Sequence, residues 1–237
     1  MRVLVPVVLL TGCSTVTRTF DEDIPVADIA RVRAEVERGE VSVVSGSPDV
    51  FQIEGRVWGR ATDVDRADRN AEGNSFAVGV TDRVLDLSAD SAYASAGVDF
   101  AVMGPRRVDT ELSVPKGRIT LEGLHGRHFA SARRIDVANT HGFLTLTATH
   151  RVVADLDPQP GDVIHITAED GIDLTLPVGL PLHLTVWGDP EQQVRVDDLG
   201  WDETIEEEDF FQGLRGDGSI RIDIVGPDAD IRVRAAQ

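Results

Sequence analysis

From Ile29 onward apolar and polar residues alternate with a period of two, the spacing that turns one face of a β-strand toward a core and the other toward water. "IARVRAEV" sets Ala30, Val32, Ala34 and Val36 against Arg31, Arg33 and Glu35; Gly39 then turns the chain into "EVSVV", and "DVFQIEGRVWG" supplies another strand before Gly59. Between Ala61 and Gly73, "ATDVDRADRNAEG" is polar and rich in Asp and Ala, and is the one place where the pattern predicts a short helix. "NSFAVGVTDRVLDLSAD" returns to strands, and "SAYASAGVDFAVMGPRR" reads as a long surface loop.

The alternation becomes more regular after Val108, where "VDTELSVPKG" is followed by an imperfect internal repeat. Ile119 aligns with Ile135, Leu121 with Val137, His125 with His141 and Gly126 with Gly142, a constant offset of sixteen. A further strand begins with Val152, seventeen residues after Ile135, and "DVIHITAEDGIDLTLP" carries its own turn at Asp170-Gly171. Short strands and glycine turns at this period predict an all-β fold of the parallel β-helix or β-roll-like solenoid kind, in which successive coils stack to bury a continuous core. A β-sandwich of hairpins is the alternative. Two final strands, Ser219 to Val225 and Ala229 to Arg234, are expected to close or cap the array and cover an open edge.

The units "ELSVPKG", "ITLEGLHG", "IDVANTHGFLTLTA" and "ITAEDGIDLTLP" resemble a bacterial adhesin-like family of domains of unknown function. The resemblance covers Ile29 to Gln237 and is strongest between Val108 and Gly179. It implies a β-solenoid and a surface or scaffold role, with no particular ligand. Gly126-Arg127 and Gly142-Phe143 depart from the family's usual polar residue after the turn glycine, whereas Gly161-Asp162 stays nearer to it.

Composition narrows this picture in two ways. Aromatic residues are only 5% of the chain, so the core must be built from Val, Ile, Leu and Ala. The net charge of −18 argues against a nucleic-acid partner or a general electrostatic attraction to an anionic membrane face. Lys116 is the only lysine, and all other cationic side chains apart from histidine are arginine.

The single cysteine, Cys13, cannot form an internal disulfide, and it follows directly on the apolar run Val3 to Leu10. Arg2, that run and Thr11-Gly12 have the layout of a targeting segment too short to span a bilayer. Leu10-Thr11-Gly12-Cys13 resembles the lipobox of bacterial lipoproteins, which implies removal of residues 1–12, lipidation of Cys13 and attachment to a membrane through that lipid. Ser14 after the cysteine is, by the same resemblance, a residue that does not retain a lipoprotein in the inner membrane. The expected organisation is a signal peptide over 1–12, a tether over 13–28 interrupted by Pro25, and an adhesin-like domain over 29–237.

Candidate chemistry is sparse. Four of six histidines, His125, His128, His141 and His150, fall within twenty-six residues, and the repeat stacks His125 over His141. At a coil spacing of about 4.8 Å, two such imidazoles could share a metal ion, although both also sit beside turn glycines where compact polar residues are favoured for backbone reasons. Glu206-Glu207-Glu208-Asp209 could offer oxygens to calcium but lacks the spacing of a calcium loop, and charge runs are ordinarily solvated. Trp58, Trp187 and Trp201 are candidates for stacking on a glycan, or for filling the core. There is no Gly-x-Ser-x-Gly elbow, phosphate loop or His-Glu-x-x-His pair, so no catalytic residue and no cofactor are expected. The expected function is a non-enzymatic, lipid-anchored, extracytoplasmic protein of the cell envelope that acts as a surface, scaffold or adhesin-like interaction domain, with an envelope protein or a glycan as candidate partner. A secreted β-helix enzyme acting on polysaccharide and an envelope regulatory binding protein are the alternatives.

Overall fold

A computed structural model describes residues 7–10, 13–26, 29–189 and 193–236. Apart from one helix the described chain is all-β, and it divides into two compact units, residues 1–120 and 121–237, where one continuous domain from residue 29 is expected.

The first unit contains β1 (Val7–Leu10), β2 (Cys13–Pro25), β3 (Arg31–Val36), β4 (Glu40–Ser45), β5 (Val50–Ala61), the helix α1 (Val64–Glu72), β6 (Asn74–Thr81), β7 (Val84–Ser91), β8 (Ala96–Gly104) and the start of β9 (Asp109–Glu122). One ladder runs β1–β2–β5–β8–β4 and is antiparallel except for its β8–β4 pair. The other runs β6–β7–β3–β9, with β6–β7 antiparallel and the rest parallel. Phe20 of β2 stacks on Phe76 of β6 (4.3 Å between centroids) and meets Phe100 of β8 edge-on (6.1 Å), so the two ladders share an apolar interior. Val32, Ala34, Leu85, Leu87, Phe51, Ile53, Val98 and Val102 complete it, all buried.

The helix falls where the pattern predicts it. Asp63 caps its N-terminus by accepting from Arg66 N–H (2.8 Å), and Gly73 ends it. Ala67 and Ala71 pack on Val16, and Gly59 makes the approach possible, since a Cβ there would lie 2.3 Å from the Ala67 carbonyl oxygen.

Two expectations are corrected here. The segment 13–28, expected to be a tether, instead forms β2 over Cys13–Pro25, paired with β5 from Ser14 to Pro25; Ser14, Val16 and Phe20 point inward, and this widely spaced inward pattern outweighs the polar residues between them. "SAYASAGVDFAVMG", expected to be a loop, contains β8, a strand paired on both sides whose Val98, Phe100 and Val102 are core residues. Residues 1–6 and Thr11-Gly12 of the expected signal peptide lie outside the described residues.

The second unit contains the end of β9, then β10 (His125–Ala138), β11 (His141–Asp155), β12 (Val163–Ala168), β13 (Gly171–Leu176), β14 (Leu182–Trp187), β15 (Val194–Val196), β16 (Glu203–Glu206), β17 (Phe210–Leu214), β18 (Ile220–Val225) and β19 (Asp230–Ala235). β10 and β11 lie parallel with His125 opposite His141 and Gly126 opposite Gly142, the sixteen-residue register read from the sequence. A shift between Ala132 and Arg134 lengthens the offset to seventeen, so that Ile135 faces Val152. Beyond this shift the same two long strands enter a second ladder. The first ladder continues β10–β11–β12–β18–β14, all parallel, and ends in antiparallel β17 and β16. The second continues β10–β11–β13–β19–β15, all parallel.

The C-terminal strands do not cap an edge. β18 lies between β12 and β14, and β19 between β13 and β15, with Ile220, Ile222, Ile224 and Ile231 fully buried. A strand whose inward positions are all isoleucine buries more apolar surface at the centre of a sheet than at its rim, about 25 cal/mol for each Å² removed from water.

Candidate interaction surface

Alternation fixes which side chains of the first ladder in the second unit face solvent. On β10 these include Arg127 and Phe129; on β11, Phe143, Thr145 and Thr147; on β12, Val163, His165 and Thr167. β18 contributes Arg221, Asp223 and Val225, β14 contributes His183, Thr185 and Trp187, and β17 contributes Phe210 and Gln212. The register places these in rows across the strands, among them Phe129–Thr145–His165–Asp223–Thr185–Gln212.

Two aromatic platforms lie on this face. Phe129 (45% exposed) packs against Phe143 (5.6 Å), which meets the His165 ring edge-on (5.8 Å). Trp187 (51% exposed) packs against Phe210 (4.4 Å), beside Val225. Phe143 shares a row with His183, so it lies three strand spacings across and four residues along the strand from Trp187, about 20 Å away. Fixed polar groups occupy the interval. Asp223 pairs with His165 Nδ1 (3.2 Å) and accepts from Arg221 Nε (2.9 Å), while the Gln212 amide donates to His183 Nε2 (2.7 Å). Within this group the Asp223 carboxylate is matched by the Arg221 guanidinium.

Of the three tryptophans, only Trp187 presents its ring. Trp58 donates from its indole N–H to Asp99 (3.0 Å) and packs over Gly97, where a Cβ would lie 2.5 Å from the ring. Trp201 covers Gly213 in the same way and leans on Phe211 (5.5 Å). Both fill gaps made by glycine.

The histidine pair is brought together as the repeat predicts. The His125 and His141 rings are 6.2 Å apart and tilted by 46°. His141 is buried, with Nδ1 3.8 Å from Asp162, whose carboxylate accepts from the Gly142 and Gln159 backbone N–H groups. Among the described residues no group of three or more His, Cys, Asp and Glu side chains converges in a way that could hold a metal ion. The acidic run Glu206–Asp209 spans the β16–β17 hairpin, closed by the Glu207 N–H donating to the Phe210 carbonyl (2.8 Å), and Glu206, Glu207 and Glu208 are exposed along a shallow concavity shared with Arg195 and Phe210.

On the second ladder, a notch at Gly171 is lined by His150, Arg151, Asp170, Asp173, Asp230 and Arg232. His150 is paired with Asp170, and Asp173 lies between Arg151 and Arg234. Burial alone would raise the Asp173 pKa, but the hydrogen bonds and charges of the two guanidinium groups outweigh it and hold the carboxyl below its ordinary range. Cys13, the expected lipidation site, is exposed at the start of β2.

Sequence reasoning singled out Trp187 but missed Phe129, Phe143, His165 and Asp223. Phe129, Phe143 and His165 meet through the consecutive strands β10, β11 and β12, whereas Asp223 and the link to Trp187 depend on β18 inserting between β12 and β14, a long-range pairing that local alternation does not encode.

No family model matches the chain, and no curated protein matches it. Among solved structures, the chain is similar to a "putative cell adhesion protein" from Clostridium sporogenes, with 10% identity over 92% of this chain and 100% of that one and a TM-score of 0.38. It is also similar to a "putative adhesin" from Bacteroides fragilis, with 12% identity over 92% of this chain and 97% of that one and a TM-score of 0.32.

Proposed function

We propose that the protein is a non-enzymatic, lipid-anchored surface protein of the cell envelope, adhesin-like in role, whose solvent-facing sheet in the second unit binds a neutral glycan. The observation that carries this reading is the pair of aromatic platforms, Phe129–Phe143 and Trp187–Phe210, separated by His165, Asp223, Arg221, His183 and Gln212 in fixed hydrogen bonds. Aromatic faces suit the C–H faces of sugar rings, and oriented polar side chains suit their hydroxyls. The span between the platforms is long enough for a short oligosaccharide. A chain of net charge −18 repels polyanions but not an uncharged polyol.

In this reading the in-register parallel ladders are the walls of a short β-solenoid, whose flank is the binding face. Cys13 carries lipid, and residues 1–12 are removed before it does. Two or more acyl chains on one cysteine would hold the protein stably at a membrane, where a single chain would not. Labelling cells with a palmitate analogue tests the anchor: the intact chain is labelled and Cys13→Ala is not, and equal labelling of both rules it out. A glycan array tests the face, with neutral oligosaccharides retained by the intact protein and bound about tenfold more weakly by Trp187→Ala.

A further inference from the structure

The β6 strand of the first unit is an open sheet edge with unusual chemistry. Its eight residues, "NSFAVGVT", carry no ionisable side chain, in a chain where 27% of residues are charged. Among the described residues β6 pairs with β7 alone, and it is at least partly exposed at every position. Phe76 and Val80 are 38% and 45% exposed. Natural sheets protect such an edge with charge, proline or a bulge, and none of these is present in β6.

The direction of its free backbone groups follows from the hairpin. Thr81 and Val84 flank a two-residue turn, Asp82-Arg83, with φ of 51° and 65°. Such a hairpin closes on a hydrogen-bonded pair, and hydrogen-bonded and non-bonded pairs then alternate. The odd-numbered residues of β6 therefore bond to β7, and Phe76, Val78 and Val80 direct their N–H and C=O groups outward. The side chains of these three residues lie on the inner face, opposite the buried Ala89, Leu87 and Leu85.

We propose that β6 pairs antiparallel with β6 of a second copy about a two-fold axis through Val78, joining two molecules into one continuous sheet. The strand is self-complementary in that register. Val78 faces its own copy, Phe76 faces Val80, Ala77 faces Gly79 and Ser75 faces Thr81, so every pair matches in kind on both faces. The facing residues Phe76, Val78 and Val80 are also the ones with outward backbone groups, so the ladder forms without disturbing β7. A centre one residue earlier, at Ala77, sets Asn74 against Val80. An isologous contact requires one patch to fit itself, and the uncharged strand is where two chains of net charge −18 can approach closely.

Light scattering of the full chain at high micromolar concentration tests the proposal. The intact protein is expected at the mass of a dimer, with dissociation on dilution. Val78→Pro removes an outward N–H that β7 does not use, so it is expected to give a folded monomer with an unchanged circular dichroism spectrum. In a Cys13→Ala background, a mixture of the Ala77→Cys and Gly79→Cys chains is expected to form an intermolecular disulfide faster than either alone. A monomeric intact protein, a dimer that survives Val78→Pro, or crosslinking no faster in the mixture would overturn it. None of these readouts depends on glycan binding or on the lipid.

Discussion

Gly142 lies directly beside Gly126 in neighbouring parallel strands, so close that a Cβ on Gly142 would sit 2.2 Å from the Gly126 carbonyl oxygen. The sixteen-residue spacing of two "HG" pairs in the sequence is therefore the stacking of two backbones at a point where no side chain fits. Gly142 also has φ of +107°, outside the range open to other L-residues.

Gly142→Ala is accordingly expected to cost several kcal/mol, since backbone strain of about 1–3 kcal/mol adds to the displacement of β10 from β11. Gly161 provides the comparison. It also has a positive φ (+96°), but nothing lies within 4 Å of an added Cβ, so Gly161→Ala is expected to cost only the strain. Urea denaturation of the two variants measures the difference, and equal losses would contradict the stacking account.

Asp99 organises the strand face around Trp58. Its carboxylate accepts from the Trp58 indole (3.0 Å), the Glu40 backbone N–H (3.0 Å) and the Arg56 guanidinium (2.9 Å from Nε). Asp99→Ala leaves the first two donors without their acceptor, an expected loss of about 2 kcal/mol. Tryptophan fluorescence during denaturation reads it, together with a shifted emission in the folded state.

Asp173 gives the second unit a pH dependence of defined sign. Its pKa is lower in the folded chain than the ordinary carboxylate value, because Arg151 and Arg234 outweigh the opposing effect of burial. The stabilisation is fully present above the unfolded-state pKa and is lost as pH falls through the depressed folded-state value. Both arginines are about half exposed, so each pair is worth no more than about 1 kcal/mol. Asp173→Asn is expected to lower stability at neutral pH and to flatten its decline in acid, as followed by thermal melts across pH.

The parts of the fold that local alternation controls were legible in the sequence: the strand pattern of β3 to β5, the helix after Ala61, and the His125/His141 register. Two kinds of element escaped. β2 is rich in Thr and Asp, and its few inward residues, such as Phe20, become strand signals only once β5 lies beside it; β8 does alternate Val98, Phe100 and Val102 inward, but the small residues Ala94 to Gly97 before them read as a loop. The partners of β18 and β19 are set by which exposed ladder they complete, so their central position and the face they create with Phe129, Phe143 and Trp187 depend on contacts distant in sequence.

A neutral-glycan array probed with three proteins tests whether the outer sheet of the second unit is the binding face. The intact chain and Met103→Ala, which alters an exposed residue of the first unit, are expected to retain the same oligosaccharides. Trp187→Ala is expected to bind them about tenfold more weakly, a loss of about 1.4 kcal/mol. Unchanged binding by Trp187→Ala, or no neutral glycan retained by the intact chain, would contradict the assignment.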